Sequence, residues 1–396
     1  MRRIILILLF LFTIALCHAQ QQATPRPKAK YITGFSFQQF TGGVILIRAM
    51  LNNIPDSLNF ILDTGSGGVS LDSATCVEFG IQTVPSDTVI LGMGGTHKVS
   101  FAFNQSLGLP GLNIKGLNFH VNNYDLLSCV YGEKIDGVIG YGFFSKYIVK
   151  IDFDRLWIDV YSPGKFDYPK GGSMLHPIFT SIPIQSAQVK DSRKVDFNFY
   201  FDTGAGLCFL MSQSFAKDST ILLPRRHPVY TSAEGMGGTL EMKLTVVKSL
   251  QVGSYKFKTV PAYIYDDHYN VTSYPYVGGL IGNDLWRRFN LVINYPDREI
   301  HLSPNTHFGE PFDYSYTGLT LYYVNDKIIV DDIADNSPAS RAGFKKDDII
   351  IGVENNFSNN LQQYKNLLQS SGDKVRVTLS RDGQVMIVAI KPIDIL

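Results

Sequence analysis

The chain has 396 residues, with 36 Lys and Arg against 35 Asp and Glu, for a net charge of +1. That length allows two or three domains and a large buried core. With balanced charge and no basic run, nucleic acid and anionic membrane surfaces are excluded as the main partners. Phe (26) and Tyr (21) are abundant and cluster with Val and Ile in short runs, which favours a mainly β body.

Residues 1–19 read as a signal peptide. Arg2-Arg3 is the charged start, Ile4 to Leu16 the apolar stretch, and Cys17-His18-Ala19 the cleavage site. The apolar stretch is too short for an ordinary membrane span. The mature chain is therefore expected to be secreted or periplasmic, with no transmembrane segment. Leu16 stands where lipid-attachment sites want a small residue, so acylation of Cys17 is not expected. Residues 20–36 are assigned as a linker.

Two strand-like runs, Val44 to Met50 and Leu58 to Leu62, lead into Asp63-Thr64-Gly65-Ser66. One Asp-Thr-Gly arises by chance on the order of once in ten chains of this length, and alone it would read as a turn. Downstream lie Gly92-Met93-Gly94-Gly95-Thr96 and then Gly137-Val138-Ile139-Gly140, followed by a strand pair over 147–160. A turn-rich stretch at 163–175 marks a boundary. The whole series then returns: Asp202-Thr203-Gly204-Ala205, Gly235-Met236-Gly237-Gly238-Thr239, Gly279-Leu280-Ile281-Gly282, and a strand pair over 289–302. The offsets are 202 − 63 = 139, 235 − 92 = 143 and 282 − 140 = 142. Four elements in one order at a nearly constant offset make an internal repeat.

Two carboxylates presented alike by two halves suit one chemistry. At about 3 Å apart they share one proton, so one is a general base and the other a general acid. The chain resembles an aspartic protease of the retropepsin/pepsin group, in single-chain, two-lobed form. The resemblance covers roughly residues 37–305 and rests on the Asp-Thr-Gly loops and the two hydrophobic-hydrophobic-Gly segments. It implies a bilobal acid-protease fold with a pseudo-two-fold repeat, lobe 1 over 37–163 and lobe 2 over 164–305. Asp63 and Asp202 would be catalytic, supported by Thr64, Gly65, Ser66, Thr203, Gly204 and Ala205. Gly92, Met93, Gly94 and Gly95 would form one substrate-closing flap, and Gly235, Met236, Gly237 and Gly238 the other. Two Gly-rich flaps fit the retropepsin-like subgroup better than the pepsins. The substrate would be an extended polypeptide, and no metal or organic cofactor is required. The competing reading keeps the groove as a peptide-binding site without catalysis.

The two loops differ at one position. Ser66 has a hydroxyl to offer a carboxylate and Ala205 has none. A lost donor raises a carboxyl pKa, so activity is expected at higher pH than in acid pepsins.

Residues 313–394 form a separate unit. Ser337 is placed to cap a short helix with Pro338 at its first position and Gly343 at its end. The Ser-Pro-Ala-x-x-Ala-Gly segment resembles that of a PDZ domain attached to bacterial secreted proteases. By that resemblance Gly318, Leu319, Thr320 and Leu321 are the candidate peptide-binding loop for a peptide or protein partner. Thr320 replaces the usual second Gly, so capture of a C-terminal carboxylate is in doubt there. The mature chain keeps Cys76, Cys129 and Cys208. An odd count argues against a disulfide framework, although Cys76 and Cys129 could pair within lobe 1. The expected assembly is a monomer.

Overall fold

The computed structural model describes residues 26–235, 237–369 and 372–396. The expected signal peptide with Cys17, the first part of the expected linker, and Met236 of the second expected flap lie outside the described residues.

Each lobe is built on an eight-stranded sheet, and the two sheets share one strand order. In lobe 1, Ser57–Leu62 runs parallel to Gly137–Ile139, which lies antiparallel to Val69–Asp72. In lobe 2, Lys194–Phe201, Gly279–Ile281 and Phe209–Ser212 repeat that arrangement. The burial of successive residues explains why these are strands. Ile45–Leu51, for example, buries every residue except Arg48 and Met50, so one face is buried throughout and the other opens to solvent toward its C-terminal end, with the period of two that a strand imposes.

A six-stranded sheet joins the lobes. At its centre Ile148–Asp152 pairs antiparallel with Phe289–Asn294. Lys150 sits opposite Val292, its own counterpart at the repeat offset of 292 − 150 = 142, so the pseudo-two-fold axis passes between them. The outermost strands are Tyr31–Ser36 and Ser173–Leu175, again related by 173 − 31 = 142. The linker assignment over 20–36 is therefore corrected at its C-terminal end. Tyr31–Ser36 is the first strand of the repeat, held against Trp157–Tyr161 with Phe35 buried.

One apolar core runs through both lobes. Phe201 stacks on Trp286 with ring centroids 4.1 Å apart, and the indole Nε1 donates to the Ile281 carbonyl at 2.7 Å. Each such ring removed from water contributes about 1.5–3 kcal/mol. Cys76, Cys129 and Cys208 are all free thiols, so the Cys76–Cys129 pairing is not formed. Cys208 is buried and donates to Asp284 Oδ2 at 2.7 Å. Among the described residues, no helix is long and apolar enough to cross a membrane.

The C-terminal unit has its own core and a five-stranded sheet, with Leu319–Val324 at one edge. Ser337 caps the helix Pro338–Ala342 by accepting from the Ser340 N–H at 3.1 Å, and Gly343 ends it at φ +87°. Gly318 precedes the edge strand at φ +75°, where a Cβ would lie 2.2 Å from the Ser337 Cβ. Only glycine fits there. A second helix, Leu361–Leu367, packs across this sheet and meets lobe 1.

Candidate active site

Both Asp-Thr-Gly loops hang from the end of a buried strand and are pinned from beneath by the hydrophobic-hydrophobic-Gly segments. The Asp63 N–H donates to the Ile139 carbonyl at 2.9 Å, and the Asp202 N–H to Ile281 at 3.1 Å. Gly140 and Gly282 donate in turn to the carbonyls of Gly68 and Cys208, each at 3.0 Å. A Cβ on Gly140 would stand 2.4 Å from the Ser66 carbonyl oxygen, and one on Gly282 2.2 Å from that of Leu207. The glycines are what let the segments thread so closely.

The two loops meet across the lobe boundary. Thr64 and Thr203 are fully buried. Each threonine N–H donates to the other's Oγ1 at 3.0 Å. The hydroxyls then donate onward across the boundary, Thr64 to the Phe201 carbonyl at 2.9 Å and Thr203 to that of Leu62 at 3.2 Å. Four cross-lobe bonds lock the loops face to face. A Cβ on Gly65 would lie 2.5 Å from the Asp202 Cγ, and one on Gly204 2.3 Å from the Asp63 Cγ. Each carboxylate thus sits on the opposite loop's glycine.

The carboxylates are not equivalent. Asp63 accepts the Gly65 N–H at 2.6 Å, whereas Asp202 accepts the N–H groups of both Gly204 at 2.8 Å and Ala205 at 3.0 Å. Burial first, and the Asp202 charge second, hold the Asp63 carboxyl well above the ordinary range. Burial also raises Asp202, against which the Gly204 and Ala205 N–H groups favour its charged form. Burial thus disfavours the charged form of both carboxyls, and the backbone N–H groups offset this more at Asp202 than at Asp63. The expected Ser66–carboxylate bond is corrected: among the described residues the Ser66 hydroxyl makes none with Asp63, while its N–H donates to the Asp63 carbonyl at 3.3 Å. The asymmetry comes from the backbone at Ala205, because an N–H of the loop reaches the carboxylate where the side chain does not.

Two long hairpins meet over the carboxylates. Val84–Gly92 and Gly95–Leu109 form the first, Val229–Gly235 and Gly238–Val252 the second. Their tips touch, with the Gly237 N–H donating to the Met93 carbonyl at 2.8 Å. A Cβ on Gly237 would fall 2.0 Å from the Gly95 nitrogen, so a side chain there would prise the tips apart. Beneath them lies a cavity of about 1070 Å³ that reaches both Asp63 and Asp202. It is roomy enough for several residues of a ligand chain.

A family model for aspartyl proteases matches residues 47–143 and 186–285, and a PDZ domain model matches residues 315–391. The chain belongs to the aspartyl protease family and carries a PDZ domain after its second lobe. No curated protein matches it. The two aspartyl protease matches fall on the two halves of the repeat, one around each Asp-Thr-Gly loop.

The PDZ domain contributes to this cavity in a way that no sequence motif signals. Gly318, Leu319, Thr320 and Leu321 line it together with the two carboxylates. The second flap's outer strand is tied to the PDZ domain at every other residue. Tyr316 donates to the Tyr230 carbonyl at 2.6 Å, Ser232 and Thr320 share a hydroxyl bond of 2.7 Å, and Tyr322 donates to Glu234. Tyr131, which belongs to neither half's repeated motifs, lines the cavity too. Burial, and then the charges of Asp63 and Asp202, push its phenol upward, so it stays protonated beside the site.

Proposed function

We propose that this protein is an aspartic endopeptidase that hydrolyses peptide bonds with a water held between Asp63 and Asp202. The observation that carries the reading is the reciprocal Thr64–Thr203 bonding, which presents the two carboxylates to one point.

Asp202, ionised and stabilised by two N–H groups, takes a proton from the water as its oxygen attacks the peptide carbonyl carbon. Asp63 gives its proton to the carbonyl oxygen, which would otherwise carry the full negative charge of the tetrahedral intermediate. The proton on Asp202 then passes to the amide nitrogen, the C–N bond breaks, and Asp63 recovers its proton as the carbonyl re-forms. The steps use the two carboxyls and one water from solvent. The flaps close over an extended substrate, and Met93 and the flap glycines allow that approach without steric penalty.

The test is cleavage of denatured casein between pH 3 and 8 by the mature chain, beside Asp63→Asn and a statine-type inhibitor. Cleavage lost in both controls supports the dyad. A folded chain that binds the inhibitor without cleaving casein is the peptide-binding protein of the competing reading.

A further inference from the structure

A PDZ groove lies between an edge strand and a helix, here Leu319–Val324 and Leu361–Leu367. Its two ends have different surroundings. The far end, at Tyr323 and Leu361, is stopped by the C-terminus of the lobe 1 helix Asp125–Tyr131. A Cβ on Gly132, which caps that helix, would lie 3.1 Å from the Leu361 Cβ and 3.6 Å from the Tyr323 Cβ. Lys365 Nζ donates to the Val130 carbonyl at 2.8 Å and Gln362 Nε2 to the Tyr131 carbonyl at 3.0 Å. Gln362 Oε1 also accepts the Thr41 N–H at 3.0 Å. A separate peptide cannot lie along the whole groove without displacing lobe 1. The near end, at Gly318, Leu319 and Leu368, opens into the cavity that holds the two catalytic carboxylates.

The charges on that wall bear on what enters. Asp313, Asp332 and Asp335 line the cavity beside the near end, and Lys365 is the one lining cation among the described residues. That ammonium is already spent on the Val130 carbonyl, and burial brings it down to about 8. A terminal carboxylate would meet its own charge there, whereas an uncharged backbone with an apolar side chain would meet Leu319 and Leu368. Thr320 in place of a second glycine points the same way.

We propose that the near end of the PDZ groove is a distal subsite of the protease cleft. Its occupant is an internal, extended stretch of the substrate itself, with an apolar residue against Leu319 and Leu368, and not the free C-terminus of a separate partner. This rests on the peptidase reading above. The PDZ domain then measures substrate length and reads a side chain remote from the bond that breaks.

The experiment starts from the best-cleaved site in denatured casein. Peptides around that site are trimmed one residue at a time from each end, with free and amidated C-termini. The full chain is compared with Leu319→Trp, which would fill the near end, and with Gln369→Trp at its exposed rim, should the first variant not fold. The expected result is a roughly 10-fold fall in kcat/KM at one trimming step several residues from the cut, carried by KM, the scale of one apolar contact. The step should vanish in the Trp variants and be indifferent to amidation. A smooth length dependence, a step unchanged in both Trp variants, or a requirement for the free carboxylate would overturn the proposal. If nothing is cleaved, the peptidase reading fails by itself, and fluorescence polarisation of the same labelled peptides still reads whether binding has the length step.

Discussion

Thr64 and Thr203 satisfy each other: each N–H ends on the other's hydroxyl oxygen at 3.0 Å, in a fully buried setting. Removing either hydroxyl leaves a buried N–H without an acceptor, which costs about 1–3 kcal/mol. Thr64→Val and Thr203→Val should each lower urea stability by that amount and reduce kcat, while Thr64→Ser restores most of both. Since the pair forms one network, the double valine variant should lose less than the sum of the singles.

Asp63→Asn should abolish cleavage yet stabilise the fold at neutral pH. A carboxyl whose folded pKa is raised favours the folded state fully below its unfolded pKa, and that contribution is lost as pH rises through the folded pKa. Asp63 is raised mainly by burial, so the wild type should lose up to about 1.4 kcal/mol per pH unit above the ordinary Asp range. The Asn variant lacks that decline. Thermal melts at pH 3 and pH 7 should show its advantage at pH 7 alone.

The Asp63 and Asp202 carboxyls are both raised, which on the proposed mechanism shifts both limbs of the rate profile upward. The lower limb follows ionisation of the base and the upper limb deprotonation of the acid. The kcat/KM profile should therefore peak above pH 3, and a maximum below that would contradict the upward shift of the two carboxyls.

Gly237→Ala should separate the flap tips, because its Cβ would stand 2.0 Å from the Gly95 nitrogen. The cost falls on closure over the substrate and not on the core. KM should rise several-fold with the melting temperature nearly unchanged.

Tyr322→Phe removes the hydroxyl that donates to Glu234. With one of three ties gone, amides in Val229–Gly235 should exchange faster with solvent, while those of the PDZ sheet keep their protection.

What the sequence revealed was whatever the repeat wrote twice. The loops at Asp63 and Asp202, the Gly-Met-Gly-Gly-Thr strings at 92–96 and 235–239, and the threading glycines Gly140 and Gly282 carry a nearly fixed spacing. Tyr31–Ser36 escaped notice because six residues at a sheet edge carry little pattern, and its partner in the repeat, Ser173–Leu175, is shorter still. The docking of the PDZ domain was illegible for a different reason. Gln362 and Lys365 are ordinary polar residues of a short helix, and nothing in their spacing says that their partners are the carbonyls of Tyr131 and Val130. The Ser66 expectation failed because a side-chain inventory cannot tell which backbone N–H groups a loop turns toward its own carboxylate.

The strand pairing of Ile148–Asp152 with Phe289–Asn294 has a consequence for how the protein behaves when scarce. In a protease made of two separate identical chains, the catalytic pair exists only as long as the halves stay associated, and dilution dissolves it. Here the halves are tethered through the turns between 161 and 173 and zipped together by backbone bonds, so each meets the other at a fixed effective concentration. Asp63 and Asp202 remain opposite one another in a single isolated molecule.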